Sequence, residues 1–175
     1  MENHKVRCNG TMTEEEFLRW IRSALRSKFL RWPPRSKALD LAKIDYVGDN
    51  KRRKNSWVCA KCSLSFSSKE VEVDHFPKAA GELKELQQLP EFANNLFCEI
   101  DNLRVLCKDC HSIHTLSQRK GITEEQAIVL KKVISKEKEG VAEVKKFCIV
   151  HGYKEKHLTN KANRRKILSL IFERH

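Results

Sequence analysis

Two pairs of cysteines in this 175-residue chain have the spacing of metal ligands. Cys59 and Cys62 form the first Cys-x2-Cys pair, and Cys107 and Cys110 form the second. This spacing lets the two thiolates of each tight turn reach one tetrahedral Zn²⁺. Because sulfur then fills all four positions, such a zinc has no open coordination site, and we predict that its role is structural. The alternative is four buried cysteines that bind nothing.

An adjacent carboxylate and imidazole lie between the two cysteine pairs. Asp74 and His75 end the segment VEVDH, whose alternating valines predict a short strand, and a proline turn follows. A carboxylate oxygen is a hard ligand for Mg²⁺ or Mn²⁺, and a neutral imidazole can take a proton from water. Asp74 is therefore a candidate metal ligand and His75 a candidate general base. An Asp-His pair also occurs as a purely structural feature, and that alternative stays open at this point.

The second half of the pattern runs from Asn102 into the second cysteine pair. The segment NLRVLCKDCH predicts a short strand that leads into a helix carrying this pair. His111 directly follows Cys110, so a metal bound by the cysteines would fix the start of the helix that presents this imidazole. The predicted order is a strand, a loop with a histidine, a second strand and a helix with a histidine.

This order resembles the HNH (ββα-metal) nuclease family over about residues 57–115. The resemblance implies that His75 is the general base and that Asn102 braces the loop bearing it. It implies that Asp74 and His111 bind a catalytic Mg²⁺ or Mn²⁺. It also implies that the four cysteines bind the structural Zn²⁺ found in one subgroup of the family.

The family resemblance implies an activity as well. We expect a DNA endonuclease that hydrolyses phosphodiester bonds of double-stranded DNA, either by nicking one strand or by cutting both. The wider pattern, with RWPP at 31–34 and a basic helical tail, looks like HNH endonucleases of bacteriophages, some of which are homing enzymes. Two features depart from the family. An insertion of 26 residues separates His75 from Asn102, and His114 lies three residues after His111, where some members place a further ligand four residues on. His114 is either a metal ligand, a surface residue or a residue that supports the ligands without touching the metal.

The net charge of +12 is unevenly distributed along the chain. Residues 1–56 carry a net +7, residues 57–118 a net −3 and residues 119–175 a net +8. We predict three segments with these bounds: a basic helical N-terminal arm with a linker, a nuclease core and a basic helical C-terminal arm. Basic side chains that neutralise phosphates release condensed counterions, so the arms favour a DNA partner over an ordinary solvated surface. The predicted DNA-binding residues are Lys51, Arg52, Arg53 and Lys54 in the first arm and Arg164, Arg165 and Lys166 in the second.

The predicted fold class is α+β and mostly helical, with a small zinc-stapled ββα-metal core. Thr13 and Glu16 predict a capping box that opens a helix over 13–30, and the prolines of RWPP end it. A shorter helix is predicted at about 36–44. The other predicted elements are a polar linker at 48–56, short strands at 64–66, 71–73 and 104–106, and helices at about 82–98, 108–118, 123–136, 141–151 and 160–173.

Expectations about compartment and assembly come from the overall pattern. No apolar run approaches the roughly 18 residues needed to cross a membrane, and the N-terminal stretch has no apolar signal region. We therefore expect an intracellular, cytoplasmic protein without a membrane partner. We also expect a monomer or weak dimer, since no heptad repeat predicts strong self-association. Two other functions remain open: a non-catalytic zinc module that binds DNA, and an accessory protein for phage DNA processing.

Overall fold

The computed structural model describes residues 5–76 and 81–174. Packing divides the chain into two compact units, residues 1–110 and residues 111–175. Helices predominate among the described residues, and the strands form small sheets of two or three strands. The predicted α+β, mostly helical fold class is confirmed. The division into three segments at residues 56 and 118 stays a prediction. No helix in the described ranges is both long and apolar enough to cross a membrane.

The first described elements of the first unit form a hairpin that was not predicted from the sequence. Strands β1 (Lys5–Arg7) and β2 (Met12–Thr13) pair antiparallel and lead into helix α1 (Glu14–Phe29). The predicted capping box is present: the Thr13 hydroxyl accepts from the Glu16 amide, and the Glu16 carboxylate accepts from the Thr13 amide. Two amides without helical partners are thereby satisfied, and the predicted bounds of this helix are correct to within one residue.

The two prolines after α1 start the next helix. Pro33 and Pro34 occupy the first turn of α2 (Pro33–Leu41), where the missing backbone N–H would have had no helical acceptor. The helix predicted at 36–44 therefore starts earlier than expected. It also ends earlier, because Lys43–Asp45 forms strand β3.

The first cysteine pair lies in the connection between two strands of a three-stranded antiparallel sheet. Strand β3 pairs with β4 (Asn55–Val58), which in turn pairs with β5 (Ser65–Phe66). The predicted polar linker at 48–56 therefore ends inside a strand. Arg53 orders this end of the segment, because its guanidinium donates to the hydroxyl of buried Ser56 at 3.0 Å.

The candidate catalytic residues lie on a two-stranded antiparallel sheet. It is formed by β6 (Val71–His75) and β7 (Leu103–Cys107). The register places Asp74 opposite Arg104 at one end of the sheet, while Cys107 lies at the other end. The sheet therefore connects the second cysteine pair with the Asp-His pair. All three strands that the sequence predicted in this part of the chain are confirmed.

The apolar core of the first unit packs α1, α2 and β7 against the insertion between β6 and β7. The predicted helix of the insertion is present but shorter than expected, as α3 (Leu89–Leu96). The indole N–H of Trp32 donates to the Cys98 carbonyl at 2.8 Å, which ties the RWPP segment to the insertion. The buried core residues are Leu18, Phe29, Ala38, Leu83, Phe92, Leu96 and Leu103.

The second unit is helical throughout its regular structure. Helix α4 begins in the first unit, and Thr123 and Gln126 form a capping box at the start of the next helix. The predicted helices of this part are confirmed. The helices are α4 (Lys108–Lys120), α5 (Glu124–Glu137), α6 (Val141–Val150) and α7 (Lys161–Glu173). Their buried core consists of Val133, Val144, Cys148, Leu158, Ile167, Leu168 and Ile171.

Candidate functional site

The four paired cysteines come together in one cluster. The Sγ atoms of Cys59, Cys62, Cys107 and Cys110 all lie within 4.8 Å of one another. Four sulfurs at about 2.3 Å from one tetrahedral ion lie ~3.8 Å apart, so the observed spacing fits a single metal ion such as zinc. The prediction that these residues form one group able to hold a metal is confirmed.

Backbone hydrogen bonds hold the first pair in a tight turn beside β7. The Cys59 amide donates to the Leu64 carbonyl at 3.0 Å, and the Ser63 amide donates to the Cys59 carbonyl at 2.9 Å. Ser63 has a φ of 59°, a left-handed conformation that is costly for a residue with a Cβ atom. The Ala60 amide donates to the Val105 carbonyl at 2.8 Å. The turn is therefore fixed to the strand that carries the second pair.

Backbone groups stabilise a thiolate at one position of the cluster. Burial raises the pKa of the Cys59 thiol, but hydrogen bonds from the backbone of Cys62, Cys107 and Lys61 outweigh this effect and lower the pKa to about 6. Burial is the main reason that the pKa values of Cys62 and Cys110 are raised. A bound cation would supply the positive charge that four adjacent thiolates need. A donor set of four sulfurs suits zinc.

A buried carboxylate lies at the opposite end of the β6–β7 sheet. Asp74 is 7% exposed, and its Oδ2 accepts from the Nε and Nη2 atoms of Arg104 at 3.1 and 3.0 Å. The Arg104 guanidinium also lies 4.4 Å from the ring centre of Phe76. The ion pair compensates a charge whose burial alone would be costly. The hard oxygens of this carboxylate fit Mg²⁺ or Mn²⁺.

The imidazole of His75 is held on two sides. Its Nε2 atom lies 2.9 Å from the carbonyl oxygen of Leu96, the last residue of α3. Its ring centroid lies 4.8 Å from that of Phe29, the last residue of α1. A carbonyl oxygen can only accept, so Nε2 carries the hydrogen and Nδ1 keeps its lone pair. This arrangement can take up a proton at Nδ1.

Asn102 extends the pairing of β6 and β7 by one step beyond His75. Its backbone carbonyl accepts from the Phe76 amide at 2.8 Å, and the Cys98 thiol donates to the same oxygen at 3.8 Å. The residue is exposed and ends a 3-10 turn, Ile100–Asn102. The structure thus brings Asn102 to the strand end that carries His75, and its main chain makes the contact there.

The two histidines of α4 belong to the second unit. The Nε2 atom of His114 lies 2.9 Å from the side-chain nitrogen of Gln118, and its Nδ1 lies 3.0 Å from Oε1 of Glu124. An amide nitrogen can only donate, so Nε2 accepts and the Nδ1 hydrogen points to the carboxylate. Both ring nitrogens of His114 are engaged within the unit, which favours the non-ligand alternative for this residue. His111 is half-buried, directly after Cys110.

A comparison with known proteins decides the family. Over 81 residues the chain is 33% identical to a protein described as a probable HNH endonuclease of Lactococcus phage SK1. The matched stretch is 46% of this chain and 73% of that protein. The chain belongs to the HNH endonuclease family. No protein-family profile and no solved structure matches it.

Family membership confirms the resemblance drawn from the sequence, including the likeness to a bacteriophage member. The individual roles of Asp74, His75, Asn102 and His111 in this HNH protein stay predictions. Three contributors to the site were missed: Arg104, Phe29 and the carbonyl of Leu96. They reach the Asp-His pair from a neighbouring strand and two helices, and only the first has a polar side chain that could have signalled a role.

The predicted DNA-binding segment 51–54 contains two kinds of residue. Arg53 donates to the Asn55 carbonyl at 3.2 Å, and its guanidinium lies 4.5 Å from the ring centre of Tyr46. These contacts give Arg53 a structural role in the HNH protein. The other three residues, Lys51, Arg52 and Lys54, are exposed and available to a polyanion.

The predicted DNA-binding residues of α7 also differ from one another. Arg164 donates to the Leu158 carbonyl at 3.0 Å and so closes the turn before the helix. Arg165 forms an ion pair with Glu137 of α5 at 2.8 Å. Lys166 is exposed. Of the three residues, Lys166 therefore contributes least to the fold of the unit and is the best placed to contact a polyanion.

We expect the purified chain to contain one metal ion such as zinc, measured by elemental analysis. Cys107→Ser removes one of four sulfurs and should abolish both the bound metal and the cooperative thermal unfolding, because metal binding at such sites contributes roughly 10–16 kcal/mol to folding. Cys8→Ser changes an exposed cysteine outside the cluster and serves as the control. A metal-free Cys107→Ser protein that still melts cooperatively would contradict this expectation.

Proposed function

We propose that this chain is a metal-dependent HNH endonuclease that hydrolyses phosphodiester bonds of double-stranded DNA. The observation that carries the proposal is the placement of a buried carboxylate, Asp74, and an oriented imidazole, His75, at one strand end. Family membership supports a nuclease function in general. A DNA-binding protein without catalysis would need neither of these two features.

Two metal sites with separate tasks belong to the proposal. The four cysteines would bind a structural Zn²⁺, because a site filled by four sulfurs has no position for a substrate. Asp74 and His111 would hold Mg²⁺ or Mn²⁺. When bound, such an ion neutralises charge on the scissile phosphate and its 3′ leaving oxygen.

His75 would act as the general base. Because its Nε2–H donates to the Leu96 carbonyl, the Nδ1 lone pair can accept a proton from the water that attacks phosphorus. The bond between phosphorus and the 3′ oxygen then breaks, and the 3′ oxygen takes a proton from solvent, which leaves a 5′-phosphate and a 3′-hydroxyl. Proton removal of this kind accelerates reactions by about 10²–10⁴-fold. The packing of Phe29 against the imidazole limits its reorientation.

A zinc module that binds DNA without cutting it is the alternative. The contacts of His75 with Phe29 and Leu96 would also hold a purely structural histidine in place. The two functions differ in one measurement, which is the conversion of supercoiled plasmid to nicked or linear DNA in the presence of Mg²⁺ or Mn²⁺. The same assay separates nicking from cutting of both strands.

We expect His75→Ala to lower the plasmid cleavage rate at least 100-fold, because the proton acceptor is lost. His75→Asn keeps more of the side-chain volume against Phe29 and should be equally inactive. The matched control is His114→Ala on α4, which should retain cleavage. Metal content and thermal unfolding verify that each variant is folded. Cleavage within tenfold of the parent rate in both His75 variants would exclude this residue as the base.

We expect Asp74→Asn and His111→Ala to raise the Mg²⁺ or Mn²⁺ concentration needed for half-maximal cleavage at least tenfold, because each removes one proposed ligand. Both variants should retain the metal bound by the cysteines, measured by elemental analysis. If His111→Ala loses that metal, His111 belongs to the cysteine site instead. If neither variant changes the dependence on the added metal, the catalytic ligands lie elsewhere.

We expect the triple variant with glutamine at Lys51, Arg52 and Lys54 to bind duplex DNA with a weaker dependence on salt. If each residue contacts one phosphate, the slope of log affinity against log salt should decrease by up to about three. Arg53 is left intact because it supports the fold. The control variant replaces three other exposed lysines of the first unit, Lys37, Lys43 and Lys69. Equal slopes for the parent and the triple variant would remove this segment from the DNA interface.

A further inference from the structure

Helix α1 carries three arginines that lie within the predicted N-terminal arm but are not among the residues predicted there to bind DNA. Arg19, Arg22 and Arg26 are three and four residues apart, so they lie on one face of the helix. This face adjoins the buried side formed by Leu18 and Phe29. The three arginines therefore lie along the border between the exposed side of α1 and the side that packs into the unit.

An open groove runs along this edge of α1. Its volume is about 470 Å³. Two of its charges are already paired: Arg19 with Glu15 at 2.8 Å, and Glu82 with Lys84 at 3.3 Å. The groove is lined by Arg19, Arg22, Ser23, Arg26, Gly81 and Glu82. Arg22 and Arg26 therefore give it an excess of positive charge.

The C-terminal end of the same helix contacts the proposed general base. Phe29, at the end of α1, packs against the His75 ring with centroids 4.8 Å apart. At a rise of about 1.5 Å per residue, Arg26 and Arg22 lie roughly 4.5 and 10.5 Å before Phe29 along the helix axis. Each strand of duplex DNA carries one phosphate per ~3.4 Å of its axis. The two arginines therefore have the reach to contact different phosphates of a strand whose scissile bond lies at His75.

We propose that the Arg22–Arg26 groove binds backbone phosphates of duplex DNA next to the bond that is cut. This inference rests on the proposed function, because it takes its occupant from the nuclease reaction. A guanidinium can donate two parallel hydrogen bonds to one phosphate, and the hydroxyl of Ser23 adds a further donor in the groove. Contacts of this type position the strand and are independent of sequence.

The test measures binding of the full chain to a fluorescein-labelled duplex of 30 base pairs by anisotropy, over a range of NaCl concentrations and without divalent metal. The double variant Arg22→Gln/Arg26→Gln should reduce the slope of log affinity against log salt by up to about two. The control is Lys28→Gln/Lys37→Gln, which removes the same charge from the opposite face of α1 and from α2. It should leave the slope within about half a unit of the parent value. Metal content and thermal unfolding verify the fold of both variants.

The outcomes separate the groove from the proposed function. A smaller slope in the arginine variant alone supports the groove. Equal changes in both variants would show an effect of net charge and would overturn it. If the parent cleaves plasmid DNA and the arginine variant binds like the parent, the groove is wrong and the nuclease function stands. A parent that neither binds nor cleaves DNA overturns both the groove and the nuclease function. Both are also overturned if the arginine-dependent binding is found with an RNA duplex of the same length and not with the DNA duplex.

Discussion

The two cysteine pairs must meet at one point although 44 residues of chain separate them, and the first unit is organised around that constraint. The intervening chain runs out along β6 and returns along β7, which ends at Cys107. The strands pair residue by residue, so the register counted from Cys107 fixes the positions of Asp74 and His75. A slip of one residue would exchange the faces on which these two side chains lie. The cluster thus sets the geometry of a site to which it contributes no ligand in the proposed reaction.

Charge balance governs the other end of the same sheet. Asp74 is buried and its partner Arg104 is half-buried, so removing the guanidinium would leave a poorly compensated charge, a change that costs about 3–5 kcal/mol in a fully buried pair. The guanidinium therefore holds the carboxylate in place before any cation or DNA binds. A divalent cation at Asp74 would have to share the carboxylate with Arg104. The arginine is thus a competitor for the site as well as its support, and the contact with Phe76 keeps it there.

Local signals were sufficient to predict most helices and the cysteine cluster. A capping box such as that of Thr123 and Gln126 marks a helix start through two residues only three positions apart, and the spacing of the cysteine ligands depends only on a tight turn. The pairing of strands that lie far apart in the sequence leaves no comparable local pattern. The strands β1 to β4 have only two to four residues, too few for an alternating pattern to be visible. Arg104 faces Asp74 across 30 positions of the chain, a relation that only the register of the folded sheet reveals.

The carbonyl of Leu96 that meets the His75 imidazole has a consequence for how this protein can evolve. A main-chain acceptor is present whichever amino acid stands at that position, so substitutions in α3 can accumulate without removing it. Insertions and deletions behave differently. One residue gained or lost before the end of the helix would rotate the carbonyl by about 100° and displace it by about 1.5 Å along the axis. Outside the buried positions Phe92 and Leu96, divergence in this segment should therefore be less restricted in composition than in length.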